Sequence, residues 1–378
     1  MLPLKDVLVV SVEQAVAAPI CTARLAAAGA RVIKIEREQG DFARGYDRAA
    51  KGESSYFTWL NQGKESICLD FKTDEGAENL WDIIKRADVF VQNLAPGALD
   101  RSGFSAADML AVNPKLIVCN ISGYGLSGDA KKKRAYDLLV QAESGLISVS
   151  GSPGSPGRIG VSICDIGAGI TAYGGILEAL IKRGKTGVGD VLSVSLFDVA
   201  AEWMAVPYIH AEYGDGAPNP VGLRHPSIAP YGAFECSDDR LVLISIQNER
   251  EWHRLCEDVL QSPQLLGDDK YASNNDRVAN VEELEAEISV VTGKLTSRQF
   301  QDRLETAKIA YGAINTASDL RSHPAFRSVE YSTADNQRLN LPAGPVQWGS
   351  ESRKQQKRAP HIGEHTKAVV DEFSGVRT

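Results

Sequence analysis

The sequence has no excess of positive charge. Its 378 residues include 41 lysines and arginines against 49 aspartates and glutamates, giving a formal net charge of -8 at pH 7. Proteins that bind the phosphate backbone of DNA or RNA carry a basic surface. Nucleic acid is therefore not an expected partner.

The sequence also lacks the patterns that direct a chain to a membrane. No stretch of it reaches the ~18 consecutive apolar residues that a transmembrane helix requires. The amino-terminal segment MLPLKDVLVVSVEQ lacks the basic start, the long apolar core and the small-residue cleavage site that a signal peptide has. We expect no membrane association and a cytoplasmic location.

Cysteine is scarce, and no two cysteines form a CxxC pair. The six are widely separated and lie mostly in apolar segments: Cys21, Cys68, Cys119, Cys164, Cys236 and Cys256. This distribution predicts buried thiols in a reducing compartment rather than disulfides or a zinc site. No metal site is expected.

Strand and helix patterns alternate in the first half of the chain. Apolar, strand-like runs lie at 7–12, 31–35, 66–71, 89–91, 116–121 and 190–197. Helical patterns lie among them at 19–28, at 73–84 and at 106–111. This alternation predicts parallel strands joined by right-handed crossovers, hence a large α/β, Rossmann-like domain. Such a sheet binds ligands at the carboxyl ends of its strands, where Arg37 and Asn93 fall.

The pattern changes in the second half. Two strand-like runs flank a turn at 237–239 and predict an antiparallel hairpin, and helical patterns follow at 249–260, 281–292 and 297–306. We therefore expect a large domain over 1–200, a small α+β domain over 225–320, and a segment 325–378 that returns to the large domain. The glycine- and proline-rich stretch 151–158 predicts a surface loop, and the chain after Pro324 predicts irregular structure up to a helix near Lys367.

One carboxylate, Asp165, stands between an apolar run and four glycines in VSICDIGAGITAYGGILEAL (161–180). It can be a helix N-cap that complements the helix dipole. Gly167, Gly169 and Ala172 also spell GxGxxA, a dinucleotide fingerprint, but no acidic residue follows at the position that would hold the ribose. Thirdly, Asp165 can be a nucleophile toward an acyl group, because a helix N-terminus favours its ionisation and glycines leave room for the substrate. The local residues leave these three interpretations open.

Several motifs in fixed order make the whole chain recognisable. They are GARVIKIER (29–37), GDFARGY (40–46), YFTWLNQGKESICLDFK (56–72), ADVFVQNLAPGALDRSGF (87–104), YDLLVQAESGL (136–146), CDIGAG (164–169), KTGVGDVLSVSLFD (185–198) and GEHT (363–366). With these motifs the sequence resembles the class III CoA-transferases, the CaiB/BaiF family that includes formyl-CoA and carnitine CoA-transferases. The similarity extends over nearly the whole chain.

The resemblance implies an enzyme that transfers CoA through covalent intermediates on Asp165. In that family the aspartate attacks the donor thioester to give a mixed anhydride, and the CoA thiolate then converts the anhydride to an aspartyl-CoA thioester. An acceptor carboxylate continues the cycle. The CoA thioester is the substrate, and no tightly bound cofactor or metal is expected. The family also implies an interlocked homodimer, with chain crossings near 200–225 and 320–345.

The resemblance also assigns contacts to CoA. Val16 and Ala17 match residues beside the reacting thioester, and the remaining matched positions are Arg37, Asn93, Leu94, Ala98, Arg101, Arg134 and Tyr136. Of these, Arg37 matches a contact to the adenine or a phosphate, and Arg101 matches a phosphate contact. Arg134 ends the run KKKR, which can equally be a solvated face.

Two other functions remain open at this point. The same family architecture serves α-methylacyl-CoA racemases, which need a second base, typically a histidine at the place of Tyr136. A tyrosine with an ordinary pKa of about 10 is a poor base at neutral pH, which favours the transferase. A non-catalytic acyl-CoA binding protein would keep many of the same residues.

The acid that receives CoA is predicted from a few charged and polar side chains. Oxalate-specific relatives carry a glycine run before the small domain, whereas this chain has PVGLRHPSIAPYGAF (220–234). Arg224 and His225 there, with Arg44 and Tyr46 in the first domain, can bind a second carboxylate. We therefore expect a C4 or C5 dicarboxylate such as succinate, itaconate or mesaconate, and His225 can alternatively be a structural histidine.

Overall fold

A computed structural model describes residues 2–349 and 358–374, and these divide into two compact units. The first comprises the described residues of Met1–Leu146, Arg158–Val206 and Arg327–Thr378, and the second comprises Ile147–Gly157 and Pro207–Phe326. Of the predicted returning segment 325–378, residues 350–357 and 375–378 lie outside the described part.

The first unit is built on a six-stranded parallel sheet, which confirms the predicted α/β class. Its strands are β1 (Leu8–Val12), β2 (Arg31–Glu36), β3 (Glu65–Cys68), β4 (Val89–Gln92), β5 (Ile117–Ser122) and β8 (Asp190–Ser195). They lie in the order β3-β2-β1-β4-β5-β8, with Val9 beside Val32 on one side and Val89 on the other. This is the order of a doubly wound, Rossmann-like sheet, and it reverses between β1 and β4.

Helices cover both faces of this sheet because both faces are apolar. Alternate residues of a strand point to opposite faces, so Val9 and Val89 belong to one buried core whereas Val10 and Phe90 belong to the other. The helices are α1 (Ala17–Ala27), α2 (Ser55–Leu60), α3 (Asp74–Ile84), α4 (Ala106–Val112), α5 (Asp137–Glu143), α6 (Ile163–Thr186), α7 (Leu196–Trp203) and α13 (Thr366–Ser374). Helices α1 and α6 pack on the first face, and α3, α4 and α13 pack on the second.

Helix α6 is the central helix of the first core. Among the described residues it is the one helix that is long and apolar enough to cross a membrane by length and composition, a test that a core helix of a soluble protein also passes. Its Ala168, Ala172 and Ile176 are buried in the core that α1 shares. Packing therefore explains the apolar residues on this side of the helix, whereas Ile170 and Ile181 are exposed.

The second unit contains the predicted hairpin, β9 (Tyr231–Glu235) with β10 (Leu241–Ser245), and β11 (Ala310–Ala313) extends it. The helices are α9 (Glu249–Arg254), α10 (Asn274–Ala279), α11 (Val281–Thr292) and α12 (Ser297–Thr306), and α8 (Ala205–Tyr213) begins at the boundary of the units. The predicted helix 249–260 changes after α9 into a π-helical turn, Leu255–Val259. The stretch predicted as a loop at 151–158 forms a small exposed hairpin, β6 (Gly151–Ser152) and β7 (Ser155–Pro156).

Three predictions about secondary structure were wrong, and the first is the strand expected over 66–71, which ends at Cys68. The strand expected over 190–197 ends at Ser195, because the Ser195 hydroxyl accepts a hydrogen bond from the Asp198 N–H at 2.9 Å and so caps α7. The segment after Pro324 was expected to be irregular but forms a hairpin of β12 (Ser328–Ser332) and β13 (Arg338–Pro342). The Glu53 carboxylate holds its turn by accepting hydrogen bonds from the N–H groups of residues 334 and 335.

Candidate active site

Where the strand order reverses, a side-chain amide links the loop after β4 to the turn after β1. The Asn93 side chain, just after β4, accepts a hydrogen bond from the Gln14 N–H at 2.9 Å and donates one to the Gln14 carbonyl at 2.8 Å. A doubly wound sheet binds a dinucleotide at this switch point, against a glycine-rich turn. Here the β1–α1 turn has no glycine and is tied to the neighbouring loop, so the side chain of Asn93 is already engaged within the protein.

The next residue of this turn, Ala15, has a left-handed backbone with a φ of 63°. Such a conformation costs a residue with a side chain roughly 1–3 kcal/mol, and it persists where surrounding contacts impose it. The Ala15 N–H donates to Asp41 Oδ1 at 3.1 Å, and the same oxygen accepts from the Ala43 N–H at 2.9 Å. Asp41, in the GDFARGY motif, therefore fixes the turn that leads into α1.

Asp41 belongs to a buried cluster of charges beneath the turn. Lys34 Nζ lies 2.7 Å from Asp41 Oδ2 and 3.5 Å from Glu13 Oε1, and Lys64 Nζ lies 2.6 Å from Glu13 Oε1. All four side chains are 0% exposed. Removing one partner of such a cluster leaves an uncompensated buried charge, which typically costs about 3–5 kcal/mol.

The protonation of this cluster follows from burial and pairing. Burial alone would raise the pKa of Glu13, but Lys64 and Lys34 outweigh it and lower that pKa. Burial lowers the pKa of Lys64 to about 8, against the pull of Glu13. Lys34 has three carboxylates around it, and these raise its pKa in spite of burial.

Glu36 and Arg44 extend the same cluster. Arg44 donates to both Glu36 oxygens, from Nη2 at 2.7 Å and Nε at 2.9 Å, and its guanidinium stacks 3.5 Å from the centre of the Phe57 ring. Burial opposes ionisation of Glu36, but Arg44 and Lys34 lower its pKa to about 2. Arg44, predicted as a contact to the substrate carboxylate, is therefore already paired with a protein carboxylate.

Asp165 is the third residue of α6, and this corrects the N-cap interpretation. The helix begins at Ile163, with Ser162 at the N-cap position. Asp165 is partly exposed, whereas its neighbour Cys164 is buried. The carboxylate thus projects from the first turn of the helix rather than closing its end.

Gly167 and Gly169 serve helix packing, which corrects both the dinucleotide fingerprint and the expectation that these glycines leave room for the substrate. A Cβ on Gly169 would lie 2.2 Å from the Ala17 carbonyl oxygen, and one on Gly167 would lie 2.2 Å from the Trp203 ring. These glycines lie inside α6, not in a strand-to-helix turn, so they are not a dinucleotide fingerprint. Instead they let α6 approach α1 and α7.

The true cap of α6 is a second carboxylate, Asp137, at the start of α5. Its Oδ1 accepts hydrogen bonds from the N–H groups of Cys164 at 2.8 Å and Asp165 at 3.1 Å, and its Oδ2 accepts from Gln141 Nε2 at 2.7 Å. The expectation that the helix N-terminus favours an ionised Asp165 is not met. Burial, with the negative charge of Asp137, raises the pKa of the Asp165 carboxyl to about 7.

Aromatic side chains lie close to Asp165. Tyr46 packs edge-to-face on Tyr56, with ring centres 5.4 Å apart, and contacts Phe42 at 5.7 Å. Burial, together with Asp41, Asp165 and the tyrosines at 136 and 56, raises the pKa of Tyr46 to about 12. This raised pKa keeps the Tyr46 hydroxyl protonated at neutral pH. Tyr46 and Tyr136 remain 46% and 67% exposed.

The start of α1 packs against the residue that follows Asp165. Val16, Ile20 and Leu60 form a small buried cluster that partly buries Tyr56, Trp59 and Ile166. Together with the Gly169 contact, this packing sets Val16 and Ala17 beside the first turn of α6. The first unit therefore brings together Val16, Ala17, Tyr46, Tyr136 and Asp165 of the predicted site residues.

The other predicted residues are placed as follows. Arg37 is exposed and its Nε donates to the Gly40 carbonyl at 2.9 Å, while the Leu94 N–H donates to Gln92 Oε1 at 2.7 Å. Ala98 and Arg101 lie in the loop after β4, where Arg101 approaches Gly97, and Arg134 is exposed before α5.

Arg224 and His225 belong to the second unit. Arg224 Nη2 lies 2.7 Å from Glu285 Oε2, and the His225 ring stacks on Tyr231 with centres 5.3 Å apart. His225 Nδ1 also accepts a hydrogen bond from the Ser227 N–H at 3.1 Å. Both side chains therefore have partners within their own unit.

Sequence reasoning missed Asp137, Tyr56 and the buried charge cluster. The signal for the cluster was Lys34 in the strand RVIKIE, because a parallel strand covered on both faces gives a lysine no route to water. The signal for Asp137 was its place beside Tyr136, in the motif that carries the family resemblance.

Comparison with known proteins gives the same family from the whole chain. The model of "CoA-transferase family III" matches residues 4–366. The chain is 32% identical to an acetyl-CoA:oxalate CoA-transferase of Acetobacter aceti, with 98% of this chain and 96% of that protein covered. It is 31% identical to a succinyl-CoA:glutarate CoA-transferase of Mus musculus, with 98% and 86% covered.

Among solved structures, a CAIB/BAIF family protein from Brucella suis superimposes with a TM-score of 0.84 at 29% identity. The match covers 98% of this chain and 99% of that protein. Fold, motif order and full-length similarity agree. This chain therefore belongs to CoA-transferase family III and is a CoA-transferase.

Proposed function

We propose that this enzyme moves CoA from an acyl-CoA donor, such as succinyl-CoA, to a C4 or C5 dicarboxylate through covalent intermediates on Asp165. The observation that carries the proposal is the Asp165 carboxyl itself. It lies in the first turn of α6, beside the start of α1 and among tyrosine hydroxyls, in the motif CDIGAG. We assign this chemistry to the first unit.

The proposed reaction has four acyl transfers. An Asp165 oxygen attacks the donor thioester carbon, the C–S bond breaks, and CoA leaves as the thiolate. The thiolate attacks the aspartyl carbon of the mixed anhydride, which releases the donor acid as a carboxylate and leaves an aspartyl-CoA thioester. The acceptor carboxylate attacks that thioester to give a new anhydride and thiolate. The thiolate then attacks the acceptor carbon, forming the new acyl-CoA and restoring Asp165.

The environment of Asp165 suits this role. A carboxylate that is poorly solvated and lies near Asp137 is more basic than an exposed one, as its raised pKa records. Each attack places negative charge on a carbonyl oxygen. The N–H groups in the first turn of α1 have no acceptor within that helix, and tyrosine hydroxyls are also donors. We propose that these groups stabilise the oxyanion.

For CoA we propose contacts on the exposed loops at the carboxyl ends of the strands. Arg37, Arg101 and Arg134 would bind phosphate groups, because guanidinium groups form strong charge-assisted hydrogen bonds to phosphate. Leu94 and Ala98 would lie along pantetheine, and Tyr136 beside the reacting end. Asn93 and Arg44 we now assign to holding the site rather than to binding substrate, since their polar groups are engaged. CoA enters as a substrate, and we propose no tightly bound cofactor.

The dicarboxylate acceptor rests on the polar lining and on the relatives. Tyr46 and Tyr136 are exposed and offer uncharged donors for a second carboxylate. The two relatives described above act, by their names, on oxalate and on succinate and glutarate, which are all dicarboxylates. The chain lacks the glycine run expected for oxalate, which favours a longer acid. Arg224 and His225 stay predicted substrate contacts.

A racemase remains the weaker alternative. Racemisation needs one base on each face of the α-carbon, and the position that would supply the second holds Tyr136. Asp137, the next carboxylate, accepts three hydrogen bonds from Cys164, Asp165 and Gln141. A protein that binds acyl-CoA without turnover is separated from both by the absence of covalent chemistry at Asp165.

We also propose a homodimer in the cytoplasm. Helix α8 has no buried residue, and its Val206, Tyr208 and Ile209 are all more than half exposed. An apolar surface of this kind typically marks a protein interface. All six cysteines are free thiols, five of them buried, as a reducing compartment allows.

We predict that hydroxylamine will trap an activated Asp165. On incubation with succinyl-CoA and hydroxylamine, the native chain should gain the mass of an aspartyl hydroxamate on the peptide holding Asp165. Asp165→Asn should show no adduct, and its kcat should fall by at least ~10³-fold, since the nucleophile is lost. Intact-protein mass spectrometry with peptide mapping measures the adduct.

Asp190→Asn is the matched control for this experiment, because Asp190 is a carboxylate paired with Lys182 at the far end of α6. It should label like the native chain. An adduct on another residue would contradict the proposed nucleophile. Exchange of α-protons in deuterated water without any adduct would instead support the racemase. If neither an adduct nor proton exchange is detected, the result would support a binding protein.

We predict that the pH profile of kcat/KM for the donor has an acidic limb governed by Asp165. The carboxyl must lose its proton to attack, and its pKa is raised to about 7, so activity should fall as the pH drops below 7. Asp137→Asn removes the neighbouring negative charge while keeping an oxygen for the N–H groups of α6. The midpoint should therefore move to lower pH.

The profile is measured from initial rates between about pH 5 and pH 9, a range that brackets the pKa of Asp165. Asp190→Asn again serves as the control and should keep the native midpoint. A midpoint that Asp137→Asn leaves unchanged would show that another group governs this limb.

We predict that acceptors with two carboxylates are preferred. With succinyl-CoA as donor, glutarate, itaconate and mesaconate should each give a kcat/KM at least ~10-fold above that of butyrate or valerate, because a lost charged hydrogen bond costs about 1.5–3 kcal/mol. Tyr46→Phe should narrow this gap because it removes a donor to the second carboxylate, although the loss of an oxyanion donor should lower kcat for both kinds of acid. Equal turnover of monocarboxylates and dicarboxylates would contradict the acceptor class.

We predict that the enzyme in solution has twice the 40.8 kDa mass of the chain. The double variant Val206→Asp with Ile209→Asp should dissociate it, because burying two carboxylates in an apolar interface is strongly unfavourable. Val290→Asp, at an exposed valine of α11, is the matched control and should remain dimeric. Sedimentation equilibrium measures the mass. A native protein with the mass of one chain would contradict the dimer.

A further inference from the structure

Asp41 divides its two oxygens between a charge and a backbone turn. Oδ2 accepts from Lys34 Nζ at 2.7 Å, and Oδ1 accepts from the N–H groups of Ala15 and Ala43 at 3.1 and 2.9 Å. The side chain is buried. Its own N–H donates to Glu36 Oε2 at 2.8 Å, so the residue is fixed at both its backbone and its carboxylate.

The turn that Asp41 holds leads directly to the reacting carboxyl. Ala15 has a φ of 63°, a conformation that an alanine adopts only under constraint. It is followed by Val16, which packs in the cluster that includes Ile166, and by Ala17, whose carbonyl touches α6 at Gly169. A change at Ala15 is therefore transmitted to the start of α1 beside Asp165.

We propose that Asp41 is a positioning residue for the acyl transfer: it holds Ala15 in its left-handed conformation and so sets the first turn of α1 against Asp165. This inference rests on the proposed function. Lys34 fixes the carboxylate in the orientation that presents Oδ1 to the Ala15 N–H. Asp41 thus acts on the reaction through its hydrogen bond to the Ala15 N–H, and it does not itself touch the substrate, whereas Lys64 and Glu13 contact α1 separately at the Pro19 carbonyl and the Thr22 hydroxyl.

The first test is Asp41→Asn. An asparagine has one oxygen, which serves either Lys34 or the two N–H groups but not both. The amino end of α1 should shift, and kcat should fall by about 10²-fold, as small misplacements in active sites do. The KM for succinyl-CoA should change little, because the proposed CoA contacts on the other loops remain. Single-turnover labelling of Asp165 by hydroxylamine should slow by the same factor.

The decisive test is the double variant Asp41→Asn with Ala15→Gly. Glycine adopts a positive φ without the steric cost that alanine has. If Asp41 acts by holding Ala15, the glycine should restore kcat on the order of tenfold over Asp41→Asn alone. A role of Asp41 confined to charge balance in the fold would give no such recovery.

Two further variants keep the test independent of folding. Asp88→Asn is the control, because Asp88 also combines a backbone hydrogen bond, from the Leu8 N–H at 2.8 Å, with one cation, Arg183 at 3.0 Å, but it lies at the amino ends of the strands. It should keep the native kcat. Ala15→Val leaves the charges intact and disfavours a positive φ, so it should lower kcat while the protein stays folded, with a melting temperature only a few degrees below the native one.

The outcomes separate this inference from the proposed function. No CoA transfer and no Asp165 adduct in the native chain would overturn both. If the native chain is active, two results would overturn the role of Asp41 alone. One is an unchanged kcat in Ala15→Val, and the other is a kcat that the double variant does not recover. The role of Asp41 is supported if kcat falls selectively in Asp41→Asn and recovers when Ala15→Gly is added. If Asp41→Asn does not fold, a fall in the kcat of Ala15→Val supports it.

Discussion

The ion pair between Lys34 and Asp41 is the interaction on which the site depends. Both side chains are 0% exposed, and burying two ions has a desolvation cost that only close pairing and further hydrogen bonds offset. Here the offset is collective. Glu13, Glu36 and Asp41 face Lys34, Lys64 and Arg44, so three negative and three positive groups balance. In this arrangement Asp41 Oδ1 faces the turn before α1 and accepts the Ala15 N–H.

At Asp165 the protein does the opposite and leaves a charge uncompensated. Its nearest charged neighbour is another carboxylate, Asp137, which occupies the N–H groups at the start of α6. The helix terminus therefore stabilises Asp137 more directly than Asp165. A group with a raised folded-state pKa stabilises the fold below its unfolded pKa, and this contribution is lost as the pH rises through about 7. The fold thus gives up stability at neutral pH at the carboxylate that we propose to be the nucleophile.

The sequence predicted the sheet well because its strands are continuous apolar runs with helices between them, and β1, β2, β4 and β5 lie within a residue or two of their predicted ends. It failed where tertiary contacts decide: the turn of the β12–β13 hairpin is held by Glu53, distant in sequence. Motif resemblance singled out Asp165, yet the interpretation of Asp165 as the N-cap was wrong. The helix starts three residues earlier than that interpretation requires. The pairing of Arg44 with Glu36 and of Lys34 with Asp41 could not be read from local pattern, because the turn of the chain after β2, and not helix or strand periodicity, brings these neighbours together.

The pairing of the arginines bears on how a dicarboxylate is recognised. Arg44 is neutralised by Glu36, and Arg224 by Glu285 in the second unit. An acid bound by tyrosine hydroxyls gains less than one bound by a bare guanidinium, because charge-assisted hydrogen bonds are roughly twice as strong as neutral ones. Weak binding has an advantage here. A transferase must release the donor acid before the acceptor acid enters the same place, and a site that bound either acid tightly would stall with the aspartyl-CoA thioester formed. In the proposed mechanism, uncharged donors beside Asp165 would keep the exchange of acids rapid while the covalent thioester retains CoA.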